Sequence, residues 1–307
     1  MRVAASLAVA LVLAGGAPAV AAEDCTPRQT ASLQMTVVSG AVAIPVAING
    51  QPRLMMISPG LAFSSLTLDY ALSAGLQQRP VQSGTISVGG LPATTYAKVD
   101  TLLLGGSLGQ KITLLIVPLA ALPPIAGSIG SDLLANFDVE FDFAAHKVNF
   151  YLPNPCDGAG VTWSAQHGEV PLNKQDGRGN TDMTLDGENV HVTYDMLDAV
   201  SLMPSNVAKK VFNVAPAAGE PGNRVHTFTR LAQDGFAISP LTLHLDGDPE
   251  APLCDGRWHT KMEDTYDLRS RCRAYGDVSL GRNELEKFHL YFAFKAGKLY
   301  FTPADAH

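Results

Sequence analysis

The sequence lacks several features that would define its class. Charged residues make up only 17% of the 307 residues, the formal net charge is −7, and no cluster of lysine or arginine occurs. An acidic chain without a basic patch is a poor candidate for binding nucleic acid or an anionic membrane surface. The eight histidines are scattered and no HExxH pattern is present. We therefore expect no nucleic-acid partner, no metal and no cofactor.

Long apolar runs are missing beyond the N-terminus. Residues 1–22 combine Arg2, a stretch of small apolar residues, and the motif AVA at 19–21, which resembles a signal-peptide cleavage site. The apolar stretch is shorter than the roughly 20 residues of a membrane span and is broken by two glycines and Pro18. An uncleaved anchor helix is the alternative. We predict a signal peptide at 1–22 and a periplasmic or secreted mature chain without a membrane span.

Cysteine is scarce, with four residues in the chain. Export makes disulfides the default state, and four cysteines allow three pairings. We predict a bridge from Cys25 to Cys156, which would tie the mature N-terminus to the end of the first half. A second predicted bridge, Cys254–Cys272, would close an irregular, charged insertion. A metal site of Cys254, His259 and Cys272 is the alternative, although its spacing matches no standard ligand pattern.

A hairpin pattern is present twice. Segment 44–67, IPVAINGQPRLMMISPGLAFSSLT, alternates apolar residues around an Asn-Gly turn at 49–50, which is a strong hairpin signal. Segment 184–204, TLDGENVHVTYDMLDAVSLMP, repeats it. The copies align without a gap, because the turn glycines and the residues after the second strand, Ser58 and Asp195, are both separated by 137 positions (187 − 50 and 195 − 58).

A second repeated block follows each hairpin. IGSDLLANFDVEFDF at 129–143 matches LGRNELEKFHLYFAF at 280–294. Each block predicts a short helix, capped in the first copy by Ser131 or Asp132, and then a half-buried strand. Two blocks in the same order, twice, indicate an internal duplication. With 28 glycines and 20 prolines, the chain is expected to be a turn-rich, all-β protein of two similar lobes with short helices.

The duplication also sets the predicted domain boundaries. The first lobe is expected at 31–153, a linker rich in Pro and Gly at 154–168, and the second lobe at 169–303. In the first lobe, glycines on both sides of a β run at 84–92 predict a mobile hairpin.

The arrangement resembles the retropepsin-like (pepsin-type) aspartic peptidases, in the duplicated form of the bacterial exported members. The resemblance covers most of the mature chain, and the two apolar-Gly-helix blocks at 129–143 and 280–294 are its most specific part. It implies two pseudo-two-fold related lobes, each with an Asp-Thr-Gly loop after the hairpin. In the family two carboxylates at these loops share one proton. An ordinary two-sheet β protein with one tandem repeat is the alternative.

The loops of this chain depart from that motif. The equivalent positions hold Ser58, Pro59 and Gly60 in the first loop and Asp195, Met196 and Leu197 in the second. Ser58 cannot hold a shared proton. The family's threonine hydroxyl locks the two loops together, and neither Pro59 nor Met196 carries a hydroxyl. The resemblance therefore implies distorted loops and an incomplete dyad.

Two functions remain open from the sequence. One is a catalytically inactive relative that binds an extended peptide or an envelope protein in the inter-lobe groove, since such binding needs no dyad. The groove residues would be Pro59, Gly60, Met196, Leu197, Val88 and Gly89. The other is an active, noncanonical aspartic endopeptidase that uses Asp195. A nucleophilic arrangement of Ser58, His191 and Asp195 is a further alternative, because His191 lies on the strand before Asp195.

Overall fold

The protein is described by a computed structural model. It describes residues 25–82, 84–119, 125–154, 156, 158, 160–173, 179–214, 224–250, 253 and 276–305. The predicted signal peptide, the predicted Cys254–Cys272 bridge and His259 lie outside these residues. Within them, no helix has the length and apolar character required to cross a membrane.

The first half of the chain is built mainly from strands. Its described elements are β1 (Gln29–Gln34), β2 (Thr36–Val38), β3 (Ala41–Ile48), β4 (Gln51–Ile57), β5 (Ser65–Thr67), α1 (Leu68–Ser73), β6 (Gln78–Pro80), β7 (Ile86–Val88), β8 (Leu91–Ala93), β9 (Thr95–Leu104), β10 (Ser107–Val117), β11 (Ile125–Ile129), α2 (Ser131–Leu134), β12 (Asp138–Asp142) and β13 (Lys147–Tyr151).

The second half follows a similar order. Its described elements are β14 (Gly168–Pro171), β15 (Asn180–Leu185), β16 (Glu188–Tyr194), β17 (Leu202–Pro204), α3 (Ser205–Phe212), β18 (Val225–Phe228), β19 (Leu231–Gln233), β20 (Phe236–Ile238), β21 (Leu241–Asp246), β22 (Val278–Leu280), α4 (Arg282–Leu285), β23 (Phe288–Ala293) and β24 (Lys298–Pro303).

Both predicted hairpins are present, and each turns through two residues with positive φ. Asn49 and Gly50 have φ of 51° and 76° between β3 and β4, and Asp186 and Gly187 have φ of 45° and 97° between β15 and β16. Positive φ at both central positions matches the twist of the flanking strands and suits Asn, Asp and Gly. The predicted turn at 49–50 is therefore confirmed.

Each half forms an eight-stranded sheet, and the two sheets share a pairing pattern. In the first, β11 pairs parallel with β4 and antiparallel with β5. In the second, β22 pairs parallel with β16 and antiparallel with β17. The predicted hairpin at 84–92 forms a separate two-stranded sheet of β7 and β8. The all-β, two-lobe fold class is confirmed.

A six-stranded sheet combines strands from both halves, in the order β1-β13-β12-β23-β24-β14. At its centre Val139 pairs with Phe292, and Phe141 pairs with Leu290. The duplication makes 139 equivalent to 290 and 141 equivalent to 292, since 290 − 139 and 292 − 141 both equal 151. Val139 thus pairs with the residue equivalent to Phe141, and Phe141 pairs with the residue equivalent to Val139. This exchange is expected at a two-fold axis.

One face of this sheet is apolar and the other is polar, because side chains alternate along a strand. Val139 and Phe141 are fully buried in the main hydrophobic core. On the opposite face Glu140 is 5% exposed and His289 is 3% exposed. Nε2 of His289 lies 2.6 Å from Oε1 of Glu140, so a hydrogen bond joins a strand of the first half to one of the second.

The Glu140 carboxylate has further partners. Its Oε2 accepts hydrogen bonds from Nδ2 of Asn149 (3.0 Å) and from the hydroxyl of Tyr151 (2.5 Å). Burial works to raise the pKa of Glu140, but the hydrogen bonds from His289, Tyr151 and Asn149 outweigh it and hold the pKa below its usual value. Asp142 is the third member of a group whose possible metal-ligand atoms lie within 4.8 Å of one another.

The predicted Cys25–Cys156 disulfide is confirmed, with Cα atoms 5.4 Å apart. It ties the chain before β1 to the predicted linker. The linker also packs on the polar face, where the Trp163 ring stacks on His289 with centroids 3.8 Å apart. Nε1 of Trp163 donates to the Thr302 hydroxyl. The proposed domain boundaries at 153 and 169 stay a prediction.

The predicted helix cap is wrong. Gly130 is the N-cap of α2, in an extended conformation and without a side-chain cap. A Cβ at Gly130 would lie 2.9 Å from the Leu61 carbonyl oxygen, so the tight approach of two loops selects glycine there. Ser131 instead donates to the Pro59 carbonyl (2.6 Å), and Asp132 accepts from the backbone and hydroxyl of Ser64. Ser131 therefore binds a neighbouring loop, and Asp132 binds both Ser64 and the N–H of Leu133 in its own helix.

We predict that Glu140→Gln lowers the free energy of unfolding by about 2–4 kcal/mol at pH 7, because it removes one partner of a buried pair. A carboxyl with a lowered pKa contributes stability above its unfolded-state pKa, and that stability is lost as pH falls through the folded-state value. The destabilisation should therefore shrink in acid. Urea unfolding at pH 7 and pH 4 measures both effects. Asp142→Asn, at the half-buried end of the same strand, is the matched control and should change little.

Candidate functional site

The two loops of interest begin where matching strands end. Ser58 follows β4, and its N–H donates to the Ile129 carbonyl at the end of β11 (3.0 Å). Asp195 follows β16, and its N–H donates to the Leu280 carbonyl at the end of β22 (2.9 Å). The parallel pairs β4–β11 and β16–β22 therefore position the two residues in the same way. Sequence equivalence and backbone geometry agree at these two positions.

The loops hold each other through a reciprocal pair of backbone hydrogen bonds. The N–H of Val42 donates to the Met196 carbonyl, and the N–H of Gly179 donates to the Pro59 carbonyl, both at 2.8 Å. These bonds are copies of each other, because 179 − 42 and 196 − 59 both equal 137. Each half therefore supplies a donor to the loop of the other half. The N–H of Gly60 adds a further bond to the Tyr194 carbonyl (2.9 Å).

Ser58 and Asp195 meet at the centre of this contact. The Ser58 hydroxyl oxygen lies 3.4 Å from Oδ1 of Asp195 and 3.3 Å from the Tyr194 carbonyl oxygen. It also accepts the N–H of Met196 at 3.3 Å. Oδ1 of Asp195 accepts the N–H of Leu197 at 2.8 Å. Ser58 is fully buried and Asp195 is half-buried.

The Asp195 carboxyl is a weaker acid than an ordinary aspartate. Burial is the main cause, and the nearby charge of Asp198 adds to it, so that the pKa rises to about 6. Hydrogen bonds from the Leu197 N–H and from the hydroxyls of Ser58 and Ser279 act in the opposite direction. The carboxyl therefore loses its proton as pH rises through mildly acidic values. The protonated form can donate and accept hydrogen bonds, whereas the ionised form can only accept them.

A pocket lies beside these loops, under the β7–β8 hairpin. It encloses about 340 Å³, including space open to solvent. Its apolar lining comes mainly from the first half, with Leu197 contributed by the second: Met56, Leu61, Val88, Leu91, Val117 and Leu197. Gly89 also lines it, where a Cβ would lie 3.1 Å from Leu61. Hydroxyls of Ser65, Thr67 and Ser128 add polar atoms.

The predicted groove residues divide into two groups. Val88, Gly89 and Leu197 line the pocket. Gly60 and Met196 are instead buried between the loops, where a Cβ on Gly60 would lie 2.5 Å from Cγ2 of Thr193. Pro59 is buried as well. Sequence reasoning missed Leu61 and Leu91 of the pocket; their nearness to the Ser58 loop and to the hairpin turn was the available signal.

His191 does not join Ser58. Its ring Nδ1 lies 2.8 Å from Oδ1 of Asp182 on the neighbouring strand. Its backbone N–H donates to the Asp277 carboxyl. The buried residues of β16 include Val190, Val192 and Tyr194, so His191 lies on the alternate face of the strand. The structure gives no geometric support to a nucleophilic arrangement of Ser58, His191 and Asp195.

Comparison with solved structures shows the fold. The aspartic proteinase from Irpex lacteus matches with a TM-score of 0.52 over 90% of this chain and 98% of that chain, at 9% sequence identity. At this identity the likeness concerns the fold alone. No protein-family model matches the sequence, and no curated protein matches it. The chain thus has an aspartic-proteinase-like architecture, and its activity has to be argued from its own residues.

We predict that Asp195→Asn becomes progressively more stable than the wild-type protein as pH rises from 4 to 7. A carboxyl with a raised pKa contributes stability below its unfolded-state pKa and loses it as pH rises through the folded-state value, whereas asparagine cannot ionise. The difference should reach about 1–3 kcal/mol. Thermal unfolding across this range measures it. Asp100→Asn, at an exposed strand position, should show no such trend.

Proposed function

We propose that this chain is a catalytically inactive, aspartic-proteinase-like protein that binds an extended peptide or a flexible segment of a protein partner between its lobes. The observation that carries the proposal is the contact of Ser58 with Asp195. A serine hydroxyl stands where a second carboxyl would be needed. The site around it is otherwise ordered, with reciprocal backbone bonds and an adjoining pocket.

The absence of a second carboxyl at position 58 removes the division of labour between acid and base. In a carboxylate pair, one group takes a proton from water while the other donates one to the substrate carbonyl. Asp195 alone would have to do both at once. Loss of a single acid or base role costs about 10²–10⁴ in rate, and groups that act as a unit lose more.

Peptide binding does not depend on that pair. An extended peptide is held by main-chain hydrogen bonds and by pockets for alternate side chains. The pocket under the β7–β8 hairpin is apolar on most sides, which suits an aliphatic side chain. Leu197 brings the second half to the same pocket, so a ligand seated there would contact both lobes.

The proposed setting is the periplasm or the exterior of the cell. The leader-like segment at 1–22 and the Cys25–Cys156 disulfide support export, because disulfides persist in oxidising compartments. The proposed partner is accordingly an extended peptide or an envelope protein.

An active, noncanonical endopeptidase is the second candidate. It is favoured by the half-buried Asp195, whose raised pKa of about 6 suits proton transfer in mild acid. Asp198 supplies a neighbouring acid, and its own pKa is raised by burial. In this version the pair would be Asp195 and Asp198 rather than positions 195 and 58.

Hydrolysis of casein from pH 3 to 7, with and without a pepstatin-type inhibitor, separates the two candidates. We expect no inhibitor-sensitive cleavage by the wild-type protein. Cleavage that disappears in Asp195→Asn would contradict inactivity and establish Asp195 as catalytic. Loss of the same cleavage in Asp198→Asn would then identify the second acid.

Binding is tested by fluorescence polarisation with a labelled pool of casein-derived peptides. We expect Leu91→Asp, which places a charge in the apolar pocket, to weaken binding at least about tenfold, the equivalent of roughly 1.4 kcal/mol. Leu108→Asp is the matched control, because Leu108 is 61% exposed on β10, and it should bind as wild type. Equal binding by both variants, or no binding by the wild-type protein, would reject the pocket.

A further inference from the structure

The loops depart from two-fold symmetry in the hydrogen bond between the side chain at position 58 and the backbone of the opposite loop. Met196 donates its N–H to the hydroxyl of Ser58. The two-fold counterpart would be an N–H at position 59 that donates to Asp195, but proline has no N–H. Asp195 accepts instead from Leu197 within its own loop and contacts the Ser58 hydroxyl. The Ser58 side chain therefore adds a contact between the centres of the two loops to the backbone bonds described above.

The Ser58 hydroxyl has one hydrogen and two acceptors within reach. The Tyr194 carbonyl oxygen lies at 3.3 Å and Oδ1 of Asp195 at 3.4 Å, both long for a hydroxyl donor. Its lone pairs meanwhile accept the N–H of Met196. The same oxygen thus contacts three consecutive residues of the opposite loop. A carboxylate at this position could accept from Met196 but could not donate to the Tyr194 carbonyl.

We propose that Ser58 is a positioning residue whose hydroxyl joins the loops of the two lobes and fixes the orientation of the Asp195 carboxyl. Serine at this position is then a replacement with a structural role of its own rather than a vacant catalytic position. The inference goes beyond the proposed function, because it concerns the loops themselves and requires no ligand.

A structural role alone predicts loss of stability, so a second readout is needed. Ser58→Ala leaves the buried N–H of Met196 unpaired and should destabilise the protein. Ser201→Ala is a matched control, because Ser201 is also buried and accepts the N–H of Gly281 at 2.9 Å within its own lobe. Both variants are expected to unfold more readily, and stability does not distinguish them.

The distinguishing measurement is the titration of the Asp195 carboxyl, followed by its ¹³C chemical shift from pH 3 to 8. The titration needs no peptide, so its failure is distinct from failure of the proposed function. We expect Ser58→Ala to raise the midpoint by about 0.5–1 pH unit, because a hydrogen bond to the ionised form is lost. Ser201→Ala should leave it unchanged. A midpoint that is the same in Ser58→Ala and wild type would overturn the proposal.

A pair of isosteric variants keeps the test valid if Ser58→Ala does not fold. Ser58→Thr and Ser58→Val introduce side chains of nearly the same shape, and only the first keeps a hydroxyl. We expect the threonine variant to titrate close to wild type and the valine variant to titrate higher and unfold more readily. Equal titration and equal stability of the two would show that the hydroxyl has no positioning role.

Discussion

The structure depends on the buried contact in which each half binds the loop of the other. Two backbone hydrogen bonds, from Val42 to Met196 and from Gly179 to Pro59, join buried residues of the two halves. The Ser131 hydroxyl supports the second bond, because it donates to the Pro59 carbonyl and accepts the N–H of Gly179. An unpaired buried N–H or carbonyl costs about as much as the bond it loses. Separating the lobes at the loops would therefore break both backbone bonds at a cost in free energy. The position of Ser58 against Asp195, and of Leu197 in the pocket, follows from this constraint.

Within that frame the chemistry of the site is asymmetric. Pro59 removes one donor, Ser58 supplies one hydroxyl, and Asp195 supplies one carboxyl with a raised pKa. Of the two equivalent loop positions, 58 and 195, only 195 carries an ionisable side chain. The proposed peptide binding would use shape and backbone polarity and requires no second ionisable group. The apolar pocket beside the loops provides the shape.

The two hairpins and the equivalence of Ser58 and Asp195 could be predicted from the sequence, because each pattern occurs in both copies of the duplication. The Asn-Gly and Asp-Gly turns fixed the hairpins, and the gapless spacing placed Ser58 opposite Asp195. What could not be predicted depends on packing across the lobes. From the sequence, Ser58 was expected only to remove a carboxyl from the pair. The three-dimensional arrangement shows that its hydroxyl accepts the N–H of Met196. Likewise Ser131 and Asp132 matched a helix cap by type, but Gly130 is the N-cap, and the two side chains bond to Pro59 and Ser64 of a loop that lies close to it.

The register of the central sheet has a consequence for how the two sites could diverge. Val139 pairs with Phe292 and Phe141 with Leu290, so the contact between β12 and β23 has the self-complementary form of a symmetric dimer interface. In a dimer of identical chains, any amino-acid substitution in the loop would appear in the loops of both subunits. A serine there would remove both carboxyls, and an aspartate would restore both. Joining the copies in one chain gives each loop its own codon, and this independence allows position 58 to bind the opposite loop while position 195 remains an acid.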